Sequence, residues 1–67
     1  MKTKTEEYIR RQVRRMAKWD KKGKEDKSNR IGMELLATMR YINEMEIFTM
    51  DEMWKIIEDE ENRQEEA

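Results

Sequence analysis

The chain has 67 residues and a net charge of −1, and 46% of its residues are charged against 36% that are hydrophobic. A chain of this length forms a single domain, residues 1–67, and buries only a modest share of its surface. Because Cys and His are absent, disulfides, the usual zinc ligands, a thiol nucleophile and an imidazole base are all excluded. We therefore predict a non-enzymatic protein without metal or cofactor, reinforced by pairing with a second copy as a homodimer.

The apolar residues recur with helical spacing, Pro is absent, and Gly occurs only twice. This pattern predicts an all-α fold, a small domain of three helices over about residues 4–22, 29–46 and 50–62. The sequence contains no run of roughly 20 apolar residues and no signal-peptide pattern. We therefore predict a cytoplasmic protein without a transmembrane segment.

The first predicted helix divides into a basic side and an apolar side. Thr3 or Thr5 is suited to cap its start, and Gly23 is suited to end it. At about 100° per residue, Ile9, Val13 and Met16 share one side, and seven cations share an arc of roughly 140° on the other. These seven residues, here called the basic arc, are Arg10, Arg11, Arg14, Arg15, Lys18, Lys21 and Lys22. The arc predicts an anionic partner, which is nucleic acid, an acidic protein surface or the chain's own acidic end.

The second predicted helix is apolar on more than one side. Ser28 or Asn29 is suited to cap it. Its main stripe is formed by Ile31, Leu35, Met39 and Ile42. Because a helix that is apolar on several sides must be covered on several sides, we predict that this central helix is the most buried and contacts both neighbours. Three apolar residues outside the main stripe are predicted to form an interface with another chain, namely Met33, Tyr41 and Phe48.

The third predicted helix begins with a capping box, in which Thr49 and Glu52 satisfy each other's backbone amides. Its apolar periodicity stops after Ile57, and acidic residues follow. We predict that residues of about 60–67 form a frayed acidic end. Helix two, a short turn and helix three resemble a helix–turn–helix in spacing, but a duplex would repel a recognition helix this acidic.

Charge is distributed unevenly along the chain. Residues 1–30 carry 12 basic and 5 acidic side chains, whereas residues 31–67 carry 3 basic and 11 acidic ones. We predict a small intracellular regulator or inhibitor that docks onto another protein, steered by the basic arc and held by apolar contacts. The alternative is a sequence-tolerant nucleic-acid-binding protein that uses the basic arc. A small-molecule substrate is not expected.

Overall fold

The computed structural model describes residues 2–66 and is all-α, as the sequence predicts. Its three helices are α1 (Lys2–Lys21), α2 (Glu25–Glu44) and α3 (Met50–Glu66). The prediction that Thr3 or Thr5 caps α1 is wrong, because both lie inside the helix. In the described part of the chain, each helix is too short or too polar to cross a membrane.

The turn between α1 and α2 confirms the predicted role of Gly23. Its φ of 74° is left-handed, a conformation that only glycine adopts without steric cost. The amide of Gly23 donates to the carbonyl of Asp20 (3.0 Å), and the amide of Lys24 donates to that of Trp19 (2.9 Å). These bonds form a Schellman motif, which satisfies the last carbonyls of α1.

The start of α2 differs from the prediction. The helix begins at Glu25, so Ser28 and Asn29 lie inside it, and neither is its cap. Glu25 and Asp26 occupy the first turn, where negative side chains interact favourably with the helix dipole. The segment lies between the first two predicted helices, about residues 4–22 and 29–46, but its acidic residues suit a helix start.

The turn after α2 places a non-glycine residue in the left-handed region. Glu46 has a φ of 60°. Its amide donates to the carbonyl of Asn43 (3.0 Å), and the amide of Ile47 donates to that of Ile42 (3.2 Å). This is the same Schellman geometry as at Gly23, with a side chain at the position that favours glycine.

Replacing Glu46 with glycine is therefore expected to raise the free energy of unfolding by about 1 kcal/mol, since relief of left-handed strain exceeds the added entropy of the unfolded chain. Urea unfolding followed by circular dichroism measures the change. The matched control is Gly23→Ala, which has open space around the added methyl group and should lose about 1 kcal/mol. A loss of stability in the Glu46→Gly variant would contradict this account.

The capping box at the start of α3 is confirmed. The amide of Thr49 donates to Glu52 Oε1 (2.9 Å), and the amide of Glu52 donates to Thr49 Oγ1 (3.1 Å). Ile47 and Phe48, just before the cap, are half-buried and pack against the core. α3 then continues to Glu66, beyond the predicted end near residue 62. Fraying of residues 60–67 stays a prediction, and Ala67 lies outside the described residues.

α1 packs extensively against both of the other helices, whereas α2 and α3 touch each other little. α2 contacts both neighbours, as predicted, but its contact with α3 is slight. α2 runs antiparallel to α1, with the hydroxyl groups of Tyr8 and Thr38 3.5 Å apart. α3 runs parallel to α1, since Lys2 lies over the Phe48 ring and Arg10 reaches Glu60.

The core lies where the three helices meet near the α2–α3 turn. Its fully buried side chains are Ile9, Met39 and Met53, one from each helix. Three apolar side chains of α2 are exposed, so this helix is not covered on all its apolar sides; they are Met33, Leu36 and Tyr41. Met45, the residue that follows α2, is also exposed. The predicted homodimer would cover some of this surface, and it stays a prediction.

Candidate functional site: the basic arc and an apolar groove

Two members of the basic arc are bound within the chain. The side chain of Arg10 is only 13% exposed. Its Nη1 donates to Asp59 (2.8 Å) and to Glu60 (3.2 Å) on α3. Its Nε donates to Glu6 (3.0 Å), one turn earlier on α1. Arg10 is therefore part of the contact between α1 and α3 and is not available to an external partner.

Arg14 extends the same set of contacts. Its Nη2 donates to Glu7 (2.7 Å), and its Nη1 lies 3.7 Å from Glu60. Gln64 donates a further hydrogen bond to Glu60 (3.1 Å). The carboxylate of Glu60, whose side chain is 5% exposed, is thus held by groups from both helices. We call this set the α1–α3 polar network; its members are Glu6, Glu7, Arg10, Arg14, Asp59, Glu60 and Gln64.

The network shifts the ionisation of its members. Burial on its own favours the neutral form of Glu60, but hydrogen bonds from Gln64 and Arg10 and the charge of Arg14 outweigh it and lower the pKa of this carboxyl group. Burial opposes the charge on Arg10, but hydrogen bonds to Asp59, Glu6 and Glu60 outweigh it and raise the pKa of the guanidinium. Both groups are therefore charged near neutral pH.

The lowered pKa of Glu60 predicts sensitivity to acid. A carboxyl group with a depressed folded-state pKa stabilises the protein above its unfolded value, here about 4.5, and this stabilisation is lost as pH falls through the folded value. In the Glu60→Gln variant, stability should therefore fall less steeply below about pH 4.5. Urea unfolding across this pH range measures the slope. Glu34→Gln, at an exposed site on α2, is the control and should keep the wild-type slope.

The other five residues of the basic arc are exposed. Arg15, although exposed, also donates a hydrogen bond to Gln12 on its own helix (2.8 Å). Within residues 2–66, no ion pair joins Arg11, Lys18 or Lys22 to an acid. The ammonium of Lys22 lies 5.2 Å from the centre of the Trp19 ring. The structure thus divides the predicted site: Arg10 and Arg14 face α3, and the exposed part of the arc is Arg11, Arg15, Lys18, Lys21 and Lys22.

The three residues of the predicted apolar interface are not brought together. Met33 is 73% exposed and lines a groove between α2 and α3. Tyr41 is exposed on α2 but does not line that groove. Phe48 is half-buried against the core, with the ammonium of Lys2 5.4 Å from its ring centre. Of these three residues, only Met33 therefore lines the apolar groove between α2 and α3.

The groove exists because α2 and α3 diverge from their connecting turn. It has a volume of about 1020 Å³, and its floor is formed by α1 through Val13, Met16 and Ala17. Met16 packs closely on α2 at Gly32, where an added methyl group would lie 3.2 Å from its Cε. One wall carries Met33 and Leu36 of α2, and the other carries Trp54 and Ile57 of α3. The residues that border the open end are mostly polar or charged; they are Asp20, Lys21, Asn29, Glu61, Gln64 and Glu65.

Leu36 and Trp54 are the groove residues that the sequence pattern did not distinguish from core. They are 40% and 47% exposed. A weak signal exists, since Leu36 follows the buried Leu35 and Trp54 follows the buried Met53, each rotated by about 100° from its neighbour. The pattern shows that both lie at the edge of an apolar stripe, but it does not show that α2 and α3 are too far apart to cover them.

Comparison of the chain with protein-family models, with curated proteins and with solved structures finds no match. Within the described residues, no group of acidic side chains is arranged to hold a metal ion. The groove and the exposed part of the basic arc are therefore the surfaces that indicate a function.

Proposed function

We propose that this protein is a small non-enzymatic regulator or inhibitor that docks onto another protein by seating one amphipathic helix of that protein in the α2–α3 groove. The observation that carries the proposal is the groove itself, with exposed Met33, Leu36 and Trp54 on its walls. Monomeric proteins rarely expose contiguous apolar surface of this kind without a binding role. Met side chains are flexible and adapt to varied apolar partners.

The dimensions of the groove suit one helix. A helix about 10 Å across rises 1.5 Å per residue and so occupies on the order of 120 Å³ per residue. The groove, with a volume of about 1020 Å³, is therefore of the size of a short helical segment, on the order of two or three turns. Such a helix would lie on α1 and contact both walls of the groove. The result would be a four-helix arrangement in which the apolar face of the partner helix is buried.

Four of the five exposed residues of the basic arc, Arg11, Arg15, Lys18 and Lys22, lie on the side of α1 opposite the groove, whereas Lys21 borders it. Lys18 and Arg11 are about 180° from the α1 groove floor on the helical projection. A helix seated in the groove cannot also contact these cations, so their role in docking is long-range steering towards an acidic surface of the partner.

Affinity capture from the source cell tests this proposal when it is combined with cross-linking. Lys21 borders the groove, so an amine-reactive cross-linker should join it to a helical segment of the captured protein. The groove variant Met33→Gln/Trp54→Gln should lose the captured protein. The matched control Arg11→Gln/Lys18→Gln, changed on the opposite side of α1, should keep it. Capture that survives in the groove variant would exclude docking at this site.

The second candidate function is sequence-tolerant nucleic-acid binding by the exposed part of the basic arc. The favouring observation is that Arg11, Arg15 and Lys18 are exposed together on one side of α1. Such binding should weaken steeply with salt, by a slope set by the number of phosphates contacted. Retention of a DNA or RNA probe at low salt should be lost in Arg11→Gln/Arg15→Gln/Lys18→Gln, which leaves the polar network intact.

A further inference from the structure

The shape of the groove restricts what can fill it. The groove is concave, and most of the chain's other apolar side chains pack in or against its core; in the described part of the chain, the exposed large apolar side chains outside the groove are Tyr41 and Met45, at the end of α2. Two copies meeting groove to groove would oppose two hollows and enclose unfilled space, which protein interiors avoid. The outer side of α1 is convex but charged and does not suit an apolar floor. The occupant that fits is therefore a convex, apolar element from a different protein.

The charges around the groove then restrict the chemistry of that element. Asp20, Glu61 and Glu65 border its open end, and all three are exposed. Among the described residues that line the groove, Lys21 is the one cation. Glu58 is also exposed and lies on the same side of α3, three residues before Glu61 and seven before Glu65. The acidic residues of α3 thus form a ridge along one edge of the apolar surface.

We propose that the occupant is an amphipathic helix with Lys or Arg residues beside its apolar face, placed to pair with Asp20, Glu61 and Glu65. This inference rests on the proposed docking function and names the chemistry of the partner. Acidic side chains on the same helix would face the acidic ridge at close range and be repelled. The apolar face supplies most of the affinity, and the rim charges select among apolar helices.

Two synthetic peptides test the proposal against the full chain. Each has about 14 residues, some 21 Å of helix, with Leu at helical spacing on one face. One carries Lys and Arg at the other positions, and the second carries Glu. Fluorescence anisotropy of labelled peptide measures the affinity. We expect the basic peptide to bind at least about tenfold more tightly at low salt, with the difference shrinking as salt screens the rim charges.

Protein variants locate the effect. In Glu61→Gln/Glu65→Gln the preference for the basic peptide should largely disappear. Glu34→Gln/Glu46→Gln removes the same charge from exposed sites that do not line the groove, and it should keep the preference. The groove variant Met33→Gln/Trp54→Gln should lose at least about tenfold in affinity for the basic peptide, since its apolar contacts are removed. Circular dichroism confirms that each variant is folded.

The outcomes separate the two proposals. If the acidic peptide binds as tightly as the basic one, or if the Glu61→Gln/Glu65→Gln variant keeps its preference, the basic-helix inference is overturned while helix docking stands. If neither peptide binds, docking of a helix in the groove is itself excluded. If light scattering shows a dimer that the Met33→Gln/Trp54→Gln variant dissociates, a second copy fills the groove and both proposals are overturned.

Discussion

Replacing Arg10 with methionine is expected to lower the free energy of unfolding by about 2–3 kcal/mol. Methionine keeps an apolar side chain of similar length but removes the charge that Asp59 and Glu60 share. Because Glu60 is buried, its carboxylate would lose a partner that water cannot replace. The value lies below the usual cost of breaking a buried pair, since Arg14 still lies 3.7 Å from Glu60. Urea unfolding followed by circular dichroism provides the measurement.

The control for Arg10 is Arg63→Met. Arg63 pairs with the same Asp59 at 3.2 Å, but its side chain is 64% exposed, so its loss should cost less than about 0.5 kcal/mol. Equal losses in the two variants would show that the polar network does not hold α3 on α1. A double variant, Arg10→Met/Glu60→Met, should recover much of the stability lost in Arg10→Met, because apolar side chains of similar size can replace a buried pair.

The parts of the fold that depend on local chemistry were predictable from the sequence. The Thr49–Glu52 capping box and the left-handed Gly23 are confirmed because each depends on a few neighbouring residues. Periodicity likewise identified the buried stripe of α2, since an apolar face at helical spacing must be covered by something. The helix starts were less accurate, because Glu25 and Asp26 suit both a polar loop and a first helical turn.

The parts that depend on the spacing between helices were not predictable from the sequence. Helical projection places Arg10 at one edge of the basic arc but does not reveal that α3 packs against that edge. The burial of Glu60 has the same origin, since it lies beyond the last apolar residue of α3 and contacts Arg10 and Arg14 of α1. The groove depends on the distance between α2 and α3, which no local pattern encodes.

The buried polar network and the open groove both depend on the position of α3. The polar network attaches one side of α3 to α1, and its apolar residues, Met53, Ile56 and Ile57, attach to the core. α3 packs against α1 and touches α2 little, so the side of α3 that carries Trp54 remains open. The charge pairing between α1 and α3 also engages Arg10 and Arg14 within the chain.

Replacing Met39 with alanine is expected to cost about 3 kcal/mol, the largest single effect considered, because Met39 is fully buried at the meeting point of the three helices. A domain of this length has a total stability of roughly 3–10 kcal/mol, so the variant should unfold at much lower urea concentration. Met33→Ala removes the same atoms from the same helix, at a site 73% exposed, and should change stability by less than about 0.5 kcal/mol. Equal losses of stability in the two variants would contradict the placement of Met39 in the core and of Met33 on the surface. A stable Met33→Ala variant that binds the basic peptide more weakly would show that Met33 contributes to binding and not to folding.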